Sequence, residues 1–136
     1  MNKKKVLVVS ISCLVVGVLL FLLYTYNKPS LPEVTEEEVL SITFDRMEDG
    51  VYKTSNLSIK EFLQYYNKIG QLVENEEGEG STATAIIIIS LKSGTTINIG
   101  NSGTDFEISV KTKSREVKQY WGKQTNIRNL LYNGKY

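Results

Sequence analysis

The chain has 136 residues, with 16 Lys and Arg against 15 Asp and Glu, a single Cys and no His. One cysteine cannot form an internal disulfide, and the lack of histidine excludes Cys/His zinc sites and Ser-His or Cys-His catalytic pairs. The near-neutral charge and the scattered basic residues argue against nucleic-acid binding. The sequence therefore predicts no metal ion, no cofactor and no nucleic-acid partner.

The first predicted element is an apolar helix. Residues 6–24 form an uncharged run of 19 residues that follows three lysines. As a helix, this run covers about 28 Å, which is close to the thickness of the hydrocarbon core of a bilayer. It ends without the small residues of a signal-peptide cleavage site, and the lysines orient the N-terminus toward the cytoplasm. The sequence therefore predicts a single-pass cell-membrane protein, with a cytoplasmic tip at 1–5, a transmembrane signal anchor at 6–24 and an extracytoplasmic domain.

Two alternative interpretations concern Cys13. A lipidated cysteine follows a Leu-like residue three positions earlier, where this chain has Ser10, so lipidation is the less favoured interpretation. Ser10, Cys13 and Gly17 follow the spacing i, i+3, i+7 and form one stripe of small residues. Such a stripe predicts a contact between transmembrane helices, and ordinary small residues in a span are the alternative.

The region after the apolar helix is predicted to be a stalk followed by a domain. Residues 25–38 contain both prolines of the chain, which is typical of a stiff spacer. The domain is assigned to residues 39–136. Its first strand is predicted at 39–47, with Leu40, Ile42 and Phe44 on one side, and a hairpin partner follows at VYKT.

A helix is predicted next, starting at residue 59. Ser58 and Glu61 have the spacing of a capping box. Apolar residues continue at helical spacing as far as residue 69 or 73, with Gly70 as an alternative early stop.

Four strands and a second helix complete the predicted domain. The strand segments are 82–91, 96–100, 105–112 and 116–121, of which the first is apolar on both faces and is expected to be central. Thr125 or Asn126 is predicted to cap the last helix, and Asn133-Gly134 to end it. Short turns require antiparallel pairing, so the fold class is α+β, with two helices packed on a small antiparallel sheet.

This layout, with AIIIISLKSGTTINI, DFEISV and YWGKQTNIRNLL, resembles small uncharacterised membrane-anchored extracytoplasmic domain proteins of Gram-positive bacteria. The resemblance covers the whole chain: a basic start, a single span, a stalk and a domain of about 100 residues. It is a resemblance of layout and implies no particular activity.

Three polar clusters have some features of a binding or catalytic site, and each is better explained by local structure. Acids bracket a turn at 45–49, where turns favour them. The acidic loop at 74–81 lacks the ligand spacing of a calcium loop. The segment GNSGTD, 100–105, has the composition of an anion-binding nest but lies between two strands, so a hairpin turn is favoured.

The aromatic residues Tyr65, Tyr120 and Trp121 are candidate partner-binding residues, with core packing as the favoured alternative for Trp121. The function predicted is a non-enzymatic binding or interaction module for a protein or cell-envelope partner. One alternative is an envelope enzyme that uses two carboxylates, such as a glycosidase. Another is a partner subunit that acts through its transmembrane helix.

Overall fold

The computed structural model describes residues 3–26, 28–75 and 82–136, with side chains from residue 10 onward except that of residue 71. The chain divides into two compact units, of which the first ends at Ser30 and the second is Leu31–Tyr136. The first unit contains helix α1, Lys3–Tyr26. The helical prediction for this segment is confirmed.

The predicted membrane span at residues 6–24 is wrong. Within the described part of the chain, no helix combines the length and the hydropathy that crossing a membrane requires. The signal anchor, the single-pass cell-membrane localisation and the extracytoplasmic placement all depended on that span and are corrected with it.

The second unit contains a single antiparallel sheet. The α+β class is therefore confirmed, whereas the transmembrane helix of the predicted fold is not. Over the described ranges its strands are β1 Val39–Glu48, β2 Val51–Asn56, β3 Gly70–Glu74, β4 Ala85–Leu91, β5 Thr96–Ser102, β6 Asp105–Lys111 and β7 Val117–Lys123. Their spatial order is β2-β1-β4-β5-β6-β7-β3, and every pairing is antiparallel.

Two helices cover one face of this sheet. Helix α2 is Ile59–Tyr66 and helix α3 is Thr125–Asn133. Their buried side chains join those of the central strands in one core. The helix residues in it are Phe62, Leu63, Tyr66, Ile127, Leu130 and Leu131, and the strand residues include Ile87, Ile89, Ile97, Ile99 and Ile108. Alternation along the strands sends their other side chains to the opposite face.

Part of the segment predicted as a stalk belongs to the core. Val34 is 1% exposed, and the hydroxyl of Tyr66 donates to the carbonyl oxygen of Pro32 at 2.9 Å. A short 3₁₀ helix, Glu36–Glu38, follows. The backbone N–H and the hydroxyl of Thr35 both donate to Glu38 Oε2 at 2.9 Å, and the backbone bond in particular lowers the pKa of Glu38.

The helix predicted to start at residue 59 is shorter than expected, and a strand replaces its C-terminal end. Helix α2 ends at Tyr66, and Asn67 caps it. The N–H groups of Lys68 and Ile69 then bond to the carbonyls of Tyr65 and Tyr66, three residues back, which turns the chain into β3. The predicted helix end, at residue 69 or 73, was therefore wrong.

Candidate ligand-binding face of the sheet

The face of the sheet opposite α2 and α3 is here called the open face. Within the described residues of the second unit, the buried side chains of α2 and α3 lie in the core on the other face. The open face is formed by alternate residues of each strand and is half-buried rather than sealed, as the burial pattern of β4 illustrates. A surface of this kind is available to a ligand.

A row of uncharged polar side chains crosses three adjacent strands of the open face. Asn98 on β5 lies opposite Ser109 on β6, and Ser109 lies opposite Gln119 on β7. Ile88 on β4 extends the row on the other side of Asn98. Two amides and a hydroxyl offer both hydrogen-bond donors and acceptors in one line.

The neighbouring row lies two residues away along each strand, which is about 7 Å. It runs from Ile86 to Gly100, then to Glu107 and Trp121. Glu107 accepts a hydrogen bond from the side-chain amide of Asn75 at 3.4 Å. This row therefore places a carboxylate between a glycine and an indole.

A depression of about 170 Å³ lies between the two rows. Its lining consists of Ala83, Ile86, Asn98, Gly100, Asn101, Glu107, Ser109 and Gln119. Gly100 allows one wall to form, because a Cβ on Gly100 would lie 3.0 Å from the Cβ of Ala83. Glu107 is the single charged residue of this lining.

Asn101 holds the backbone that carries the Ala83 wall. Its Oδ1 accepts from the N–H groups of Thr84 and Ala85, each at 2.9 Å. Its Nδ2 donates to the hydroxyl of Thr84 at 2.9 Å. Three bonds from one amide fix this wall against β5, so the depression is preformed.

The structure separates the three aromatic residues that the sequence marked as partner-binding. Trp121 is half-buried on the open face, opposite Glu107. Tyr120 points the other way into the core and is 6% exposed. Tyr65 lies on α2, where its ring centroid is 4.8 Å from that of Tyr136.

The small residues Ser10, Cys13 and Gly17 lie together on α1, and all three are exposed. A Cβ on Gly17 would meet no atom within 4 Å. Their interpretation as a contact between transmembrane helices required the predicted membrane span and is withdrawn with it.

The acidic clusters do not converge on one point. Asp45 lies on the open face at β1, and the pairing order places it three strands from Glu107. At about 4.8 Å per strand their backbones are about 14 Å apart, whereas the two carboxyl groups of a glycosidase pair lie roughly 5–10 Å apart. The carboxylate of Glu48 is bound by Lys53 at 2.7 Å.

The two remaining polar candidates are the 100–105 segment and the acidic loop at 74–81. The hydroxyl of Tyr132 lies 2.6 Å from the carbonyl oxygen of Gly103 and 2.9 Å from that of Asp105 and shares its one proton between them, so the 100–105 segment is a braced hairpin. Glu74 ends β3, whereas Glu76, Glu77 and Glu79 lie outside the described residues. Across the described ranges no three potential metal ligands cluster.

The sequence did not identify Asn98, Ser109 or Gln119 as site residues. The strand alternation around them, with apolar residues at every other position, was a signal that they point away from the core. Identifying the site also requires the order of the strands in the sheet, because only that order brings the three residues together.

Comparison with known proteins gives no relative from which a function follows. No protein-family model, no curated protein and no solved structure matches the chain. The resemblance in layout to proteins of Gram-positive bacteria stays a prediction, apart from the membrane anchor that it implied.

Proposed function

We propose that the second unit is a non-enzymatic binding module whose open face holds one ring of a neutral, hydroxyl-rich ligand, such as one residue of a saccharide. The observation that carries this proposal is the depression between the Asn98–Ser109–Gln119 row and the row that contains Glu107. Its lining is polar and its wall is held in place.

The chemistry of the lining suits hydroxyl groups. The amides of Asn98 and Gln119 each provide donors and an acceptor, and the hydroxyl of Ser109 provides both. Sugar hydroxyls also donate and accept, so each can pair on this surface without leaving a desolvated polar group unpaired. Glu107 adds one strong acceptor, which forms charge-assisted bonds with hydroxyl donors.

Size and shape limit what the depression accepts. Pockets for drug-sized ligands measure about 300–1,000 Å³, whereas this one measures about 170 Å³. It therefore fits one ring, with the rest of a longer ligand lying along the open face. Trp121 lies outside the lining, opposite Glu107 on the next strand, and the apolar body of its indole would contact the C–H side of a ring that extends toward β7.

The enzyme alternative has less support. Asp45 and Glu107 lie three strands apart, with backbones about 14 Å apart, so their carboxyl groups reach glycosidase spacing only if both side chains lean toward each other. Asp105 lies on the same strand and face as Glu107, but its carboxylate lies 4.0 Å from the ammonium of Lys123, and Glu107 is already bonded to Asn75. Binding without bond cleavage is the function that this arrangement favours.

Fluorescence of the full-length chain tests the proposal directly, because Trp121 is its one tryptophan. We expect titration with chitotriose or cellotriose to give a saturable change in the emission of Trp121. Ser109→Ala and Gln119→Ala should each weaken binding about three- to tenfold, the equivalent of about one hydrogen bond.

Ser90→Ala is the matched control. Ser90 lies on the same face, opposite Thr96, and outside the depression. A trisaccharide response absent at millimolar concentration, or equal losses from Ser90→Ala and Ser109→Ala, would contradict the proposed function.

A further inference from the structure

The two edge strands of the sheet differ in how well they are protected against pairing with another chain. At one edge β3 is five residues long, and its register with β7 shifts between Gly70 and Val73. Irregularities of this kind blunt an edge. At the other edge β2 pairs with β1 over six consecutive positions without a shift, contains no proline, and is exposed at all six residues.

The turn before β2 determines which of its backbone groups are free. Asp49 and Gly50 have φ of 52° and 77°, the conformation of a two-residue hairpin loop closed by Glu48 and Val51. In such a hairpin the closing pair exchanges hydrogen bonds, and bonded and non-bonded pairs alternate from there. Every second residue from Val51 therefore bonds to β1.

The alternate residues of β2, which do not bond to β1, direct their backbone N–H and C=O groups away from the sheet. These are Tyr52, Thr54 and Asn56, and together they present three N–H groups and three carbonyl groups at the edge. An added strand would satisfy all six, which is the basis of recognition by strand addition.

The strand has one charged residue, Lys53, and its charge is compensated within the hairpin. Its Nζ lies 2.7 Å from Oε2 of Glu48, and this hydrogen bond lowers the pKa of Glu48. A lysine on an edge strand usually discourages pairing with another chain. Here its effect depends on which residue of the added strand lies opposite Lys53.

We propose that β2 pairs antiparallel with β2 of a second copy of this chain, about a twofold axis at Thr54. In this register Thr54 lies opposite the same residue of the second copy, and Tyr52 lies opposite Asn56. All three outward residues of each copy then take part, which gives six backbone hydrogen bonds.

Charge selects this register over its neighbours. Centring the pair on Thr54 places Lys53 opposite the neutral Ser55. Centring it on Lys53 places two lysines opposite each other, which is destabilising, and retains only four backbone bonds. Centring it on Ser55 also retains only four. A threonine pair at the axis adds a favourable cross-strand contact, and the resulting interface is isologous.

Position-specific cross-linking of the full-length chain tests the register. In a Cys13→Ala background, Thr54→Cys should form a covalent dimer on mild oxidation at least tenfold faster than Tyr52→Cys or Asn56→Cys alone. Paired Cα atoms about 5.5 Å apart fall within the range of about 4.4–6.8 Å that a disulfide bridges. A mixture of the Tyr52→Cys and Asn56→Cys chains should give the heterodimer. Equal rates at residues 52 and 54 would overturn the proposal.

A second measurement separates edge pairing from association through α1. Thr54→Pro removes an outward N–H without removing a bond to β1, which an edge strand tolerates, whereas Thr54→Val leaves the backbone donors in place. Sedimentation should show a monomer for Thr54→Pro and a dimer for Thr54→Val, with the same far-ultraviolet circular dichroism. A monomeric unmodified chain, as expected if a foreign peptide is the natural occupant of this edge, overturns the proposal, as does a dimeric Thr54→Pro.

Discussion

The hydroxyl of Tyr66 donates to the carbonyl oxygen of Pro32 across 2.9 Å, although the two residues are 34 positions apart in the chain. This bond links helix α2 to the extended segment before β1. Tyr66 is 2% exposed, and Val34 beside that segment is 1% exposed. The segment is therefore an integral part of the core rather than a spacer.

Replacing Tyr66 with phenylalanine should lower the free energy of unfolding of the full-length chain by about 0.5–1.5 kcal/mol. The ring still fills its place, but the partly buried carbonyl of Pro32 loses its donor. Tyr52→Phe is the matched control, because its hydroxyl donates to the carbonyl of Ala83 at 3.0 Å from an exposed ring. Urea unfolding should give a change below about 0.5 kcal/mol for the control, and equal losses would contradict this account.

Stability should fall in alkali because two tyrosines are held protonated. Burial, with a smaller contribution from Tyr120, raises the pKa of Tyr66. Burial also raises the pKa of Tyr136 to about 12, helped by Glu61 and Tyr65. An unfolded tyrosine ionises near pH 10, so above that pH the unfolded state loses the proton first. The stabilisation of the folded state by the two protonated phenols is complete below about pH 10 and is lost as the pH rises toward 12.

Urea midpoints between pH 8 and pH 11.5 measure this loss. The decline above pH 10 should be shallower in a Tyr66→Phe, Tyr136→Phe double variant, since neither replacement can ionise. A double variant that declines as steeply as the original chain would assign the alkaline loss to other groups.

Two glycines, one in β7 and one in the neighbouring edge strand β3, should respond differently to an added methyl group. On Gly122 of β7, a Cβ would lie 2.8 Å from Ile108 Cδ1, 2.9 Å from Phe106 Cε2 and 3.0 Å from Ile69 Cγ2. Gly122→Ala should therefore cost about 1–3 kcal/mol through overpacking of the core. Thermal or urea unfolding measures the loss.

Gly70→Ala is the control for that change. A Cβ on Gly70 of β3 would meet no atom within 4 Å, so the substitution should be neutral or slightly stabilising through the loss of backbone freedom in the unfolded chain. A loss of more than about 1 kcal/mol from Gly70→Ala would show that the strand, rather than the core contact, is sensitive to alanine.

Local patterns predicted most strands and the start of α2. The predicted cap of α3, Thr125 or Asn126, was wrong, because Gln124 caps that helix and its Oε1 accepts from the N–H of Ile127 at 2.7 Å. The other failures occurred where pairing overrode the pattern. Alternation from Val39 predicts that Leu40 faces inward with Ile42. The register between β1 and β4 shifts between Val39 and Ser41, so Val39 is 5% exposed and Leu40 is 63% exposed. A bulge of this kind depends on the neighbouring strand, and β1 by itself does not specify it.

Strand β3 and the open face were missed for a related reason. Ile69 and Val73 continue the helical spacing of α2, yet Val73 pairs with Trp121 at the sheet edge and is 60% exposed. Tertiary pairing with β7 decided that segment. The row of Asn98, Ser109 and Gln119 likewise exists only because β5, β6 and β7 are neighbours, so the candidate site follows from the sheet order.

The start of α2 was predicted correctly in its main feature. The Oγ of Ser58 accepts from the N–H of Glu61 at 3.5 Å, and Ser58 has the extended backbone of an N-cap. Only this half of the predicted capping box is observed, since the structure shows no return bond from the Glu61 side chain to the backbone of Ser58. The cap itself is local and needs no neighbouring strand, so the sequence alone predicts it.

Ser58→Ala should lower the free energy of unfolding by about 0.5–1 kcal/mol, at the lower end of N-cap losses because the observed bond is long. Ser58→Asp should restore or exceed the original stability, since a carboxylate both accepts from the first turn and complements the helix dipole. Ser55→Ala is the control three residues earlier. Ser55 donates to the carbonyl of Phe44 at 3.4 Å from an exposed position, so its loss should stay within about 0.5 kcal/mol. Urea unfolding of the three full-length variants gives the comparison. If Ser58→Asp is no more stable than Ser58→Ala, the hydroxyl does not act as a cap, and the stability of α2 comes from its buried Phe62 and Leu63 alone.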